Sequence, residues 1–162
     1  MKDWIKLLTE SSGDRLAGEA FVAACPLAGR GFIRSEGVNI SNAISISVGR
    51  SVPPAAQEVG GERLPATMVF GLTETRLLVF ELVTKTARPG ELVAVLPLKT
   101  IEGVSATESR AFFVKQLNVD IALRDGNHMA LEAGWPALAA GRRFVEALAR
   151  AVAAAQVRSA GA

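Results

Sequence analysis

The sequence predicts a mainly β domain closed by one C-terminal helix. Three stretches carry that expectation. Met68 to Val104, MVFGLTETRLLVFELVTKTARPGELVAVLPLKTIEGV, reads as three strands joined by turns and feeding a fourth. Asp125-Gly126-Asn127 lies between two alternating runs, and such residues tolerate the positive φ of a tight hairpin. From Ala137 to about Val157 the chain is Ala-rich, with Leu138, Val145, Leu148 and Val152 at helical spacing.

The 162 residues fit one domain, and 49% hydrophobic with 21% charged is ordinary for a globular chain. The net charge of +2 comes from scattered Lys and Arg, which suits solubility rather than nucleic-acid binding. Cys25 is the only cysteine, so no internal disulfide forms, which fits a reducing compartment. Inside FVAACPL it reads as a small buried hydrophobe rather than a nucleophile. In MKDWIKLLTE charges break every apolar run, unlike a signal peptide. The run Ala20–Ala28 is far short of the roughly 20 residues of a membrane helix. A cytoplasmic location is expected.

Residues 1–17 read as an N-terminal helical extension, with an amphipathic helix over 2–10 ended by Ser11, Ser12 and Gly13. Trp4, Ile5, Leu7 and Leu8 share its apolar side; Trp4 either packs back on the domain or anchors a partner. Ala20–Ala24 is a short strand, after which Pro26, Gly29 and Gly31 break the pattern. Val38–Val48 alternates almost strictly, with a Ser/Asn face that is either weakly solvated or covered. Residues 49–65, GRSVPPAAQEVGGERLP, form a long Pro/Gly loop with little room for regular structure.

In the meander, strands are expected at Thr67–Leu72, Arg76–Thr84, Leu92–Leu96 and Thr100–Ala106, with a hairpin turn at Lys85–Gly90. Arg76 opens its strand after a tight reversal, where a guanidinium either reaches loop carbonyls or serves a ligand, the first being favoured. A polar turn is expected at Thr107–Arg110. Ala111–Arg124 then reads as one strand, or as two with a break near Lys115, and His128–Ala133 as its partner. Pro136 suits a first helical turn, so the capping helix covers 136–157, with Arg142, Glu146 and Arg150 spaced to pair and RSAGA fraying.

Leu72-Thr73, Arg76-Leu77-Leu78-Val79, Pro97-Leu98, Ile101, Val104 and Asp125-Gly126, followed by the helix, resemble the pattern of bacterial pleckstrin-homology-like (PH-like) domains over about residues 66–157. Gly18-Glu19, leading into an apolar strand, is similar to their usual start. The resemblance implies a single PH-like domain over 1–162. It would be a bent antiparallel barrel of about seven strands, capped by one C-terminal helix and carrying a short N-terminal helix. It transfers a fold and little activity. Inositol-lipid binding is not expected, because Thr73-Glu74-Thr75-Arg76 offers one base and one acid.

Neither cofactor, metal site nor catalytic set is expected: HExxH and CxxC are missing, and Gly60-Gly61 lacks the Lys-Ser/Thr of a P-loop. His128, the only histidine, with Asp125 and Asp120 is the one local titratable cluster, and it sits where turn chemistry alone explains it. The expected function is a non-enzymatic interaction or assembly module. Its partner is itself, most simply as a two-fold dimer, or another protein; nucleic acid is not a partner. Trp4, Arg142, Arg143 and Arg150 form the candidate interaction surface. The alternative is a membrane-surface adaptor using Arg142, Arg143, Arg150 and Arg158 on the last helix. Small-molecule binding or hydrolysis with His128 as base ranks behind both.

Overall fold

The computed structural model describes residues 2–29, 58–59, 62–111, 114–134 and 137–161. Helix α1 (Trp4–Ser12) and a 3-10 turn (Gly13–Leu16) precede β1 (Ala23–Gly29). The ribbon β2 (Glu58–Val59) and β3 (Glu62–Arg63) follows, then β4 (Thr67–Leu72), β5 (Arg76–Val83) and β6 (Arg88–Pro97). A 3-10 turn (Leu98–Thr100) leads to β7 (Ile101–Ala111), β8 (Val114–Leu123), β9 (His128–Ala133) and α2 (Leu138–Ala160). Seven strands form one antiparallel sheet in the order β6-β5-β4-β1-β9-β8-β7. With the C-terminal helix against it, this is the PH-like arrangement expected from the meander.

Strand β1 joins the two halves. It pairs with β4 from Ala23 to Ala28 but with β9 only at Ala28 and Gly29, so the halves splay apart along it. Helix α2 closes the gap. Gly141, Phe144, Leu148, Val152 and Ala155 form its buried stripe, while Leu138 and Val145, read from the sequence at the same helical spacing, are only half-buried. Phe144 meets Phe70 edge to face at 6.3 Å, and Cys25, Val79, Ile121 and Leu131 complete this core. A Cβ at Gly141 would stand 3.1 Å from Leu117 Cδ2 and 3.3 Å from Ala133 Cβ, so the helix sits close on the sheet there.

The opposite face of β4 and β5 is equally apolar. Val69, Leu78 and Phe80 are fully buried there under Leu8, Leu16 and Phe21. The N-terminal segment is therefore the cover of a second core. Asp3 caps α1 by accepting the Lys6 N–H at 3.0 Å; the helix runs through Ser12, whose hydroxyl donates to the Leu8 carbonyl. Ile5, expected on the apolar side, stays 39% exposed.

Other boundaries move for physical reasons. The first strand begins later than Ala20 and runs through Pro26. Gly29 donates its N–H to the Ala66 carbonyl, so odd-numbered residues of β1 bond toward β4 and even-numbered ones away from it. Pro26 thus removes no bond from the β4 ladder. Strand β6 starts at Arg88, taking in Pro89 and Gly90, because the turn is closed earlier by Ala87 at φ 51°. The expected turn at Thr107–Arg110 is strand, paired in unbroken register from Gly103↔Ala122 to Ala111↔Val114. Its polarity belongs to an exposed edge, not to a reversal. The run expected over Ala111–Arg124 is divided: Ala111 ends β7, and Val114–Leu123 is one strand without a break at Lys115. The C-terminal helix continues to Ala160, so most of the tail expected to fray is helical. The 49–65 loop contains the β2–β3 pairing. Val38–Val48, Trp135 and Pro136 lie outside the described residues.

Candidate interaction surfaces

At the N-terminal end of the sheet, Glu19 anchors a small polar network. Arg76 Nε donates to Glu19 Oε2 at 2.7 Å, and its Nη2 donates to the carbonyls of Arg15 and Leu16 at 3.2 and 3.1 Å. The Thr73 and Thr75 hydroxyls donate to Glu19 Oε1. The Thr75 bond, with Arg76 and Thr73, outweighs partial desolvation and holds the Glu19 carboxyl below its ordinary range. Arg76 therefore does what the sequence suggested, binding loop carbonyls. The missed residue is its partner Glu19, which only the Gly18-Glu19 match had marked.

A groove of about 640 Å³ lies where α1, β1 and α2 meet. Trp4 and Ile5 form one wall, Val22, Ala24 and Pro26 the floor, and Ala140, Arg143 and Ala147 the other wall. Val22 is 56% exposed. Trp4 is half-buried against the second core, with the Lys2 ammonium 5.4 Å over its ring, so it packs back while still facing the groove.

The four predicted surface residues do not form one patch. Trp4 and Arg143 share the groove. Arg142 instead pairs with Glu108 of β7, and Arg150 donates from Nε to the Glu146 carbonyl at 3.4 Å rather than to its carboxylate. Arg158 donates to the Glu74 carbonyl at 3.4 Å. Of the titratable cluster, His128 Nε2 lies 3.0 Å from Asp120 Oδ1 on the outer face of β8 and β9. Asp125 is used elsewhere: its Oδ1 accepts the Asn127 N–H at 2.8 Å in the turn, where Gly126 takes φ 90°. Cys25 is buried, and desolvation pushes its thiol up to about 12. Among the described residues no group of three His, Cys, Asp or Glu is placed to hold a metal. No helix among them is long and apolar enough to cross a membrane.

Among the described residues the sheet ends at β7. Leu123 donates its N–H to the Asn127 carbonyl, so odd-numbered residues of β8 bond toward β9 and even-numbered ones toward β7. Their β7 partners are odd-numbered, as in Thr107↔Asn118. The N–H and C=O groups of Val104, Ala106, Glu108 and Arg110 therefore point out of the sheet. None of these backbone groups has a partner among the described residues. Ala106, Glu108 and Arg110 are exposed. The sequence suggests strand only as far as Ala106 and a turn at Thr107–Arg110, so the edge is not legible there.

No known protein family matches this chain. No curated protein matches it either.

Proposed function

We propose that the protein is a non-enzymatic assembly module of the bacterial PH-like kind, and that its first partner is a second copy of itself. The open edge of β7 carries this reading. Four residues there hold eight backbone hydrogen-bonding groups that have no partner among the described residues, and an open regular edge is a template for another strand. The groove beside α1 supports the same reading with exposed Ile5 in one wall and exposed Val22 in an apolar floor. Of the cations the membrane-surface alternative would use, Arg142 is already paired with Glu108. The reading is tested by light scattering coupled to size-exclusion chromatography over a wide concentration range. A dimer that dissociates on dilution is expected; a monomer at every concentration would sink it.

A further inference from the structure

We infer that β7 pairs with β7 of a second copy, antiparallel and centred on Thr107, so that the two sheets join edge to edge across a two-fold axis. This rests on the proposal that the chain self-associates, and adds which surface does it and in what register.

The open residues 104, 106, 108 and 110 are placed symmetrically about Thr107. In an antiparallel pair, residues with free backbone groups must face residues with free backbone groups. Centring on Thr107 sets Val104 against Arg110 of the second copy and Ala106 against its Glu108. Every open N–H then meets an open C=O. On the outer face Thr107 lies against Thr107 and Ser105 against Ser109, hydroxyl pairs that favour cross-strand contact. No two like charges are directly opposed. Glu108 already has Arg142 beside it, so its carboxylate enters the interface compensated.

The neighbouring registers fit less well. Centring on Glu108 places that carboxylate against itself. Centring on Ala106 sets Arg110 against Glu102, the residue bulged out of the ladder between Ile101 and Gly103, whose carbonyl is taken by Gln156 at 3.1 Å.

The register is read by cross-linking. Thr107 meets its own copy at a non-hydrogen-bonded position, where Cα atoms stand about 4.5 Å apart, within the span of a disulfide. The full chain carrying Thr107→Cys is expected to form a covalent dimer on mild oxidation. Ser105→Cys and Ser109→Cys should each fail alone and cross-link when mixed. Cys25, being buried, gives no background. The second variant is Ala106→Pro. Its N–H points to the open edge, so the β7–β8 ladder keeps all its bonds and the fold should survive by circular dichroism. Across the two-fold it removes two hydrogen bonds and adds two clashes. Self-association should weaken more than about a hundredfold, at about 1.4 kcal/mol per tenfold. A dimer that fails to cross-link at Thr107, or that survives Ala106→Pro folded, overturns the edge assignment and leaves self-association standing. A wild-type monomer overturns both.

Discussion

Gly71→Ala adds one methyl group to the outer face of β4, beneath the N-terminal cover. It would fall 2.8 Å from Phe21 Cδ1 and 2.9 Å from Leu8 Cδ1, and closer still to Phe21 Cε1. Carbon atoms at rest stand about 3.5–4.0 Å apart. The Leu8 methyl has room to swing, but the Phe21 ring is buried and held edge to face against Phe80 at 6.4 Å. The cover must therefore shift by close to an ångström, and overpacking of this kind costs about 1–3 kcal/mol. For a chain of this size each kcal/mol moves Tm by about 2–4 °C. Urea melts of the wild type, Gly71→Ala, Phe21→Ala and the double variant form a cycle. Phe21→Ala alone should cost about 3–4 kcal/mol. On that background the added methyl enters the vacated space, so the cycle should show coupling of about 1–2 kcal/mol. A neutral Gly71→Ala, or strict additivity, would refute the packing of α1 and Phe21 as the lid of a second core.

Two further outcomes follow from the same geometry. Because the Glu19 carboxyl is held below its ordinary value near 4.5, its contribution is fully present above that value and is lost as pH falls through the lower folded value. Glu19→Gln should therefore lower stability at neutral pH and flatten the acid limb of the stability–pH curve; Arg76→Lys should recover little, since one ammonium cannot reach Glu19 and two carbonyls together. An acid limb unchanged in Glu19→Gln would contradict the network. Cys25, buried with its thiol pushed up to about 12, should react with a thiol reagent only on unfolding, at a rate that tracks denaturant; rapid labelling of the native protein would contradict its burial.

Much of the fold was legible because it is written in local periodicity. The β4 and β5 strands, the Asp125-Gly126-Asn127 turn, β9 and the C-terminal helix each carry their own signal in consecutive residues. The errors share a cause. Pro26 reads as a strand breaker until its register shows that its nitrogen faces away from β4. Thr107, Glu108, Ser109 and Arg110 read as a turn because they are polar, but an edge strand with one wet face is polar too. Arg142 has Glu146 at the right spacing, yet its partner is Glu108 on another element. The candidate surface was legible only in fragments for the same reason: Trp4 and Arg143 are brought together by α1 and α2 packing on β1.

The sequence by itself determined that this chain is a run of strands ended by one amphipathic helix, because alternation of period two and recurrence near 3.6 are properties of neighbouring side chains. Only the tertiary structure decided which faces are covered and which edge is open. Leu78 and Leu77 are equally apolar neighbours in β5, and nothing local says that one lies under α2's core and the other under Leu8 and Phe21. Glu19 and Arg76 are 57 residues apart, and Val104 to Arg110 is an open edge because, among the described residues, β8 is its sole neighbour. Such pairings depend on how distant segments close on one another, and the free energy that chooses among them is summed over the whole sheet rather than carried in any one stretch.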